Sequence, residues 1–386
     1  LKDDINPEFY QEQVIELREL EKDKTRFFDS LQRNLPDYFQ LKYSQTLVST
    51  SQVQQIIPPG SILIEYAAGQ KDFYIVGITG QKKFAVKCPE NAYVDKQVAL
   101  LRNQLRYKLE DELTQTTSTL YKILIAPIDS VIEHHRWPVK ELLIIPEGTL
   151  TVLPFELLCD KSTGSSPFLI ERYRIYYNYS ATLHWQKTTD RVSDLSKGLV
   201  GFAPVFGSDQ SVSVAYREET VENFQFNELP ESKSELDFIA KLYEQRKLGK
   251  SQVFNIGADE ATFKKVDFGQ ASLVHLATHG FAGLQGPRNS GVAFGRGPTR
   301  EEDNILFSEE VYALHMPVEL ITLSACETGL GKYQAGEGLV GLTRSFFYAG
   351  TRAVLVSMWK VQDASTAELM KNFYQAYLSK GRTKSE

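Results

Sequence analysis

Two apolar rhythms alternate along the chain. Short, near-continuous apolar runs sit at 61–66 (SILIEY), 141–145 (ELLII), 273–277 (LVHLA), 320–325 (LITLSA) and 353–358 (AVLVSM). Runs of this length, bounded by turn residues, read as strands buried on both faces. Between them, apolar residues recur at helical spacing. The stretch 8–34 carries Val14, Leu17, Leu20, Phe27 and Leu31 on one stripe, with Pro36 as its stop. Further helices are expected over 97–106, 107–112, 119–132, 232–244, 258–266, 338–348 and 365–378. Further strands are expected over 72–78, 174–179, 198–202 and 252–256. The helix at 232 is expected to open with a capping box, Ser232 and Glu235, and Asp259 is expected to cap the helix after it. AAGQK between 61–66 and 72–78 is a hairpin signal, and 205–225 reads as polar and irregular.

Strands alternating with helices predict βαβ units and an α/β fold with largely parallel sheets flanked by helices. The polar stretch 187–197 (KTTDRVSDLSK) reads as a linker between two such units. The expected organisation is a lead-in helical segment at 1–38, one α/β unit at 39–190 and a second at 191–386.

The C-terminal ends of parallel strands are where ligands and reacting groups gather. The run LVHLAT leads straight into His279-Gly280, and LITLSA leads straight into Cys326, 47 residues later. That is enough chain for one crossover, so both ends can lie on one sheet edge. A histidine beside a thiol supplies a base for a nucleophile. The N–H groups of Gly280 and Cys326 are natural oxyanion donors. Taken singly, a cysteine at a strand end is ordinarily a small buried hydrophobe, and a histidine near a sheet is ordinarily structural. His275 fits that second description. Together, at equivalent strand ends, His279 and Cys326 raise the catalytic reading to the level of the structural one.

The composition narrows the field further. With 386 residues and 42% hydrophobic content the chain can bury a large core, and its net charge is −6. No run of five or more Lys/Arg occurs, which disfavours nucleic acid or an anionic membrane as a partner. Three widely spaced cysteines, Cys88, Cys159 and Cys326, argue against a disulfide framework and a cysteine zinc site. A reducing, cytoplasmic setting follows. No 18-residue apolar run is present. The N-terminus lacks an apolar signal core and an initiator Met, so the chain reads as a fragment of something longer.

GEGLVG (Gly336–Gly341) has the G-x-G-x-x-G spelling. A dinucleotide fingerprint needs its first glycine directly after a strand, and here about eleven residues intervene, so the glycines are expected to start a helix under the Cys326 loop. Asp363 follows the strand at 353–358 and Trp359. It fits either charge pairing with a basic substrate side chain at P1 or the N-cap of the following helix. The Gly/Pro-rich stretch 283–303 reads as a loop over the active edge, a lid or an autocleavage site at Arg288, Arg296 or Arg300.

Taken together, LVHLATHGF, LITLSACETGLG and GEGLVGLTRSFFYAGTRAVLVSMWKVQD resemble the CHAT family of caspase-like cysteine peptidases, often found behind tetratricopeptide repeats. ELLIIPEGTLTVLPFELL and ELPESKSELDFI carry the likeness upstream, so it spans about 40–386. The WKVQD segment also resembles the W-x-V-x-D of separases, distant relatives that cut after Arg. The resemblance implies a caspase-like fold of two tandem units, the first degenerate and non-catalytic. It implies that His279 and Cys326 are a dyad, with Asp363 and Trp359 lining the substrate pocket. It implies a protein substrate, control by an activating protein or tetratricopeptide-type domain, and no metal or organic cofactor. An inert caspase-like scaffold and a nucleotide-binding signalling domain are the rival readings.

Overall fold

The computed structural model describes residues 7–34, 39, 47–69, 72–88, 91–160, 168–189, 194–207, 211–215, 221–281, 290–297, 302–324, 332–334, 338–359, 361–379 and 382–385. Two compact bodies divide it, Leu1–Leu47 and Val48–Glu386. The first holds helix α1 (Pro7–Asn34), which leaves Leu17, Leu20 and Phe27 exposed along one stripe.

The second body contains two five-stranded sheets. The first is built from β1 (Ser61–Ala68), β2 (Phe73–Ile78), β3 (Lys83–Cys88), β4 (Glu141–Ile145) and β5 (Arg174–Tyr177), in the order β3-β2-β1-β4-β5. β1, β4 and β5 run parallel, and the β1–β2–β3 meander adds antiparallel strands at the edge. Strand alternation explains how both faces are covered. Ile62, Ile64, Tyr66, Leu142 and Ile144 pack under helices Asn91–Tyr107, Glu110–Leu124 and Ala126–His135. Their neighbours Leu63, Leu143 and Ile145 point the other way, against Val53 and Ile57 and toward Ala181.

The second sheet comprises β6 (Leu199–Phe202), β9 (Ser251–Phe254), β10 (Leu273–Ala277), β14 (Leu320–Ser324) and β17 (Val354–Val356), in the order β17-β14-β10-β6-β9 and parallel throughout. Val274, Leu276, Ile321 and Leu323 meet Phe263, Phe294, Leu342 and Phe346 on one face. Leu273 and Leu320 meet Ile239, Tyr243, Tyr374 and Tyr377 on the other. Between these strands lie a hairpin, β7 (Ser211–Ala215) with β8 (Val221–Gln225), and a small antiparallel sheet of β11 (Gly280–Phe281), β12 (Gly291–Ala293) and β13 (Ile305–Phe307). A further hairpin pairs β15 (Lys332–Gln334) with β16 (Gly338–Val340). The fold is therefore α/β, with two tandem sheet-and-helix units.

Several local expectations are corrected. The stretch at 187–197 is not linker from its start, because helix Ala181–Thr189 runs into it. The region 205–225 holds the β7–β8 hairpin rather than irregular chain. No helix spans 119–132; it breaks at Ile125, where one helix ends and the next begins. The Ser232 capping box does not form. Pro230 occupies the first turn, so the helix begins at Pro230, two residues early, and Ser232 Oγ donates to the Leu229 carbonyl instead. Asp259 does cap its helix, accepting from Thr262 N–H at 2.8 Å. Of the GEGLVG glycines only Gly341 opens the helix, as the N-cap of Leu342–Tyr348; Gly338–Val340 is extended, and Gly336 lies outside the described residues. Part of 283–303 is strand β12, so it is not one continuous loop; Arg288 and Arg300 lie outside the described residues, and Arg296 is exposed.

Candidate active site

β10 and β14 are adjacent and parallel, with Leu273 opposite Leu320 and Ala277 opposite Ser324. His279 follows Ala277 by two residues, and Cys326 follows Ser324 by two in the sequence. Ala277 and Ser324, the strand ends that precede them, therefore lie at the same edge of the sheet. Cys326 itself lies outside the described residues.

The surroundings of His279 are built by the chain just before helix Pro230–Gln245. His279 Nε2 lies 2.7 Å from the backbone carbonyl of Asn227. A carbonyl only accepts, so Nε2 carries the proton and a neutral ring keeps its lone pair on Nδ1. The Phe226 ring stacks on the imidazole at 5.4 Å, and Phe206 meets it edge-on at 5.0 Å. Two aromatic walls and one carbonyl therefore fix ring orientation and tautomer together. Asn227 and its aromatic neighbours were not legible as site residues: a backbone carbonyl leaves no side-chain signature.

The backbone after His279 has a defined direction. Ala293 N–H donates to the His279 carbonyl at 2.8 Å, which makes 279/293 a hydrogen-bonded pair. Gly280 is opposite Val292 and so falls in the alternate, non-bonded class, its N–H pointing away from β12. Thr278 Oγ1 donates to the Ala293 carbonyl at 2.6 Å and braces the same turn.

β17 lies beside β14, with Leu323 opposite Val356, so Trp359 emerges at the same edge and is half-buried. Asp363 is the first residue of helix Asp363–Ser379 rather than its N-cap; the Gln362 carbonyl already accepts the Thr366 N–H. Asp363 Oδ2 accepts from Glu231 N–H at 3.1 Å, at the N-terminus of the neighbouring helix. Glu231 is four residues beyond Asn227, so Asp363 tethers the segment that holds His279. A carboxylate there also complements the helix dipole.

Beneath this edge, His275 sits in a fully buried polar chain. Its Nε2 faces Glu235 Oε1 at 2.8 Å, its Nδ1 faces Tyr374 Oη at 3.2 Å, and Tyr374 Oη lies 2.8 Å from Thr322 Oγ1. Burial pushes the Tyr374 phenol well above its ordinary range. Every polar atom of the imidazole is matched, which is what a buried histidine requires. The first unit braces the other side. Tyr179 Oη lies 2.5 Å from Thr343 Oγ1 and its ring meets Phe347 edge-on at 5.6 Å. The β15–β16 hairpin, next after the Cys326 stretch, packs on the turn Gly148–Val152 of the first unit.

Parts of this sequence and fold recur in known proteins. The family model described as "CHAT domain" matches residues 114–386. Tetratricopeptide repeat protein 28 of Homo sapiens is 25% identical over 301 residues, covering 67% of this chain and 11% of that protein. Its Mus musculus counterpart is 26% identical over 301 residues, covering 67% of this chain and 12% of that protein. The chain thus matches about a ninth of the length of these relatives. Among solved structures, the Saccharomyces cerevisiae separase-securin complex is similar with a TM-score of 0.52 at 10% identity, covering 84% of this chain and 28% of that one. That likeness concerns the fold, which is caspase-like. Among the described residues, no helix is long and apolar enough to cross a membrane.

Proposed function

The chain belongs to the CHAT domain family, and from that premise we propose that it is a cysteine endopeptidase acting through Cys326 and His279. The observation that carries the reading is the Asn227 carbonyl at 2.7 Å from His279 Nε2. It supports Nδ1 as the basic nitrogen of an imidazole that follows Ala277, the strand end paired with Ser324, two residues before Cys326 in the sequence. In the proposed reaction Nδ1 takes the Cys326 thiol proton. The thiolate attacks a peptide carbonyl, and the oxyanion is met by the N–H groups of Gly280 and Cys326. The outward direction of the Gly280 N–H supports that role. The imidazolium returns its proton to the departing amine. Water, deprotonated by His279, then cleaves the thioester and regenerates the thiol.

The substrate is a protein segment with Arg or Lys at P1, bound between Trp359 and the Asp363 carboxylate. The unit at 191–386 carries the reaction, and the unit at 39–190 is a non-catalytic brace. Control comes from a partner protein or an adjoining tetratricopeptide-type domain. Such repeats name the relatives, and securin accompanies separase in the similar structure. Cys88 and Cys159 are free thiols, which suits a reducing compartment such as the cytoplasm.

A positional-scanning fluorogenic peptide library, read on the chain and on Cys326→Ala, tests this. Cleavage after Arg or Lys that disappears in the variant is the expected result. Cleavage that persists in the variant removes Cys326 from the reaction, and a P1 preference for Leu, Met or Asp removes Asp363 from recognition.

A further inference from the structure

A second cluster of reactive groups lies away from the His279 edge. Helix Glu260–Lys264 begins at the Asp259 cap and turns Glu260 inward, where the residue is 1% exposed. Glu302 and Glu310 flank β13 and converge on it, so that one carboxylate oxygen from each of the three glutamates lies within 4.8 Å of the others. Lys264 Nζ sits among them, 2.7 Å from Glu260 Oε1, 2.7 Å from Glu302 Oε2 and 2.6 Å from Glu310 Oε1. Glu310 is oriented by its other oxygen, which accepts the Phe307 N–H at 2.8 Å.

The charges do not balance. One ammonium faces three carboxylates, and Asp303 adds a fourth carboxyl to the electrostatics of the cluster. Glu260 Oε2 is buried with no hydrogen-bond partner. A buried carboxylate oxygen without a donor is costly, so the single ammonium, 2.7 Å from Oε1, leaves this carboxylate incompletely matched. We propose that Glu260, Glu302 and Glu310 bind a hard divalent cation of the calcium type, with Lys264 as a built-in competitor for the same position.

Three features fit that ligand. The donors are all carboxylate oxygens, the set preferred by hard cations over zinc or copper. Their spread matches oxygens at about 2.3–2.6 Å on opposite sides of a calcium ion. Glu302 and Glu310 are partly exposed, which leaves a way in and room for water to complete the coordination. Because β13 pairs with β12, and β12 with the β11 strand that follows His279, an ion at this site ties that small sheet to helix Glu260–Lys264.

The test is calorimetric titration of the full chain, stripped with a chelator, with calcium chloride and in parallel magnesium chloride, with thermal melting alongside. Saturable one-site binding of either ion is expected, about tenfold weaker or more in Glu260→Gln and Glu310→Gln. It is expected to be about tenfold tighter in Lys264→Met and Lys264→Gln, which remove the competing charge. Far-UV circular dichroism of each metal-free variant guards against misfolding, and the two lysine replacements guard against a single unlucky side chain. Absence of saturable binding at millimolar cation in both the parent and the lysine variants overturns the site. So does binding that Glu260→Gln leaves unchanged. Binding that the lysine variants fail to tighten overturns the competitor role.

Discussion

The two sheets of the second body share a plan and differ at their strand ends. Both are buried on both faces and flanked by helices. In the first, β4 runs into Pro146-Glu147-Gly148, and Glu147 Oε2 accepts the Ala68 N–H at 2.6 Å, closing the end of β1. Its cysteines are packing residues. Cys88 is buried with its Sγ 3.7 Å from the Ile123 carbonyl, and burial pushes its thiol up. Cys159 is buried with its Sγ 3.2 Å from Thr117 Oγ1. In the second sheet, β10 ends in a histidine whose ring is oriented by a carbonyl and two aromatic walls, and the neighbouring strand leads to Cys326. Architecture alone therefore does not separate the two units; what the chain places just past each strand does, and the proposed reaction rests on that difference.

The most severe way to break this contrast is to exchange the thiols. Cys326→Ala and His279→Ala are each expected to lower peptide cleavage by about a thousandfold or more, while Cys88→Ala and Cys159→Ala leave turnover per folded molecule unchanged. Turnover normalised to folded protein separates the two outcomes. Next comes the buried chain under β10 and β14. Glu235→Ala strands His275 Nε2 in the core and is expected to cost about 3 kcal/mol in urea unfolding. Thr322→Val removes one terminal hydroxyl and is expected to cost about 1 kcal/mol.

A smaller effect is expected at the tail. Lys384 Nζ donates to the Glu319 carbonyl at 2.8 Å, and burial lowers its pKa to about 8. The unfolded value is about 10.4, so unfolding takes up a proton between these pH values. The stability from the neutral amine is complete above about pH 10.4 and is lost as pH falls through about 8. A rise of roughly 3 kcal/mol across that window is expected, and Lys384→Met is expected to flatten it in denaturant titrations run at each pH. The mildest change is Asp363→Asn, which keeps an acceptor for the Glu231 N–H. Cleavage after Arg is expected to fall in kcat/KM by about tenfold while melting barely moves. If melting falls and P1 ranking is unchanged, Asp363 is a tether for the Asn227 segment and not a recognition group.

Much of the fold was legible because doubly buried strands announce themselves as apolar runs. ELLII and LVHLA are buried at every position. A strand that escaped is β3, whose side chains alternate with solvent: it reads Lys-Phe-Ala-Val-Lys-Cys, with charged residues outward on an edge. Helix starts shifted where proline overrode a capping signal, at Pro230. At the site, His279 was legible from its strand-end position. Asn227, Phe226 and Phe206 were not, because they act through a carbonyl and through packing fixed only by tertiary structure. The Glu260 cluster was hidden for a related reason: its members lie on separate elements, up to 50 residues apart in the chain.

The most direct test of the central claim needs no substrate. Iodoacetamide labelling of Cys326, followed by peptide mass spectrometry across pH, reports the thiol's ionisation in the chain and in His279→Ala. The account predicts an apparent pKa at least about one unit below the ordinary thiol value of about 8.5, returning to about 8.5 in the variant. A profile centred at or above about 8.5 in both proteins would contradict it, because the histidine would then have no hold on the thiol.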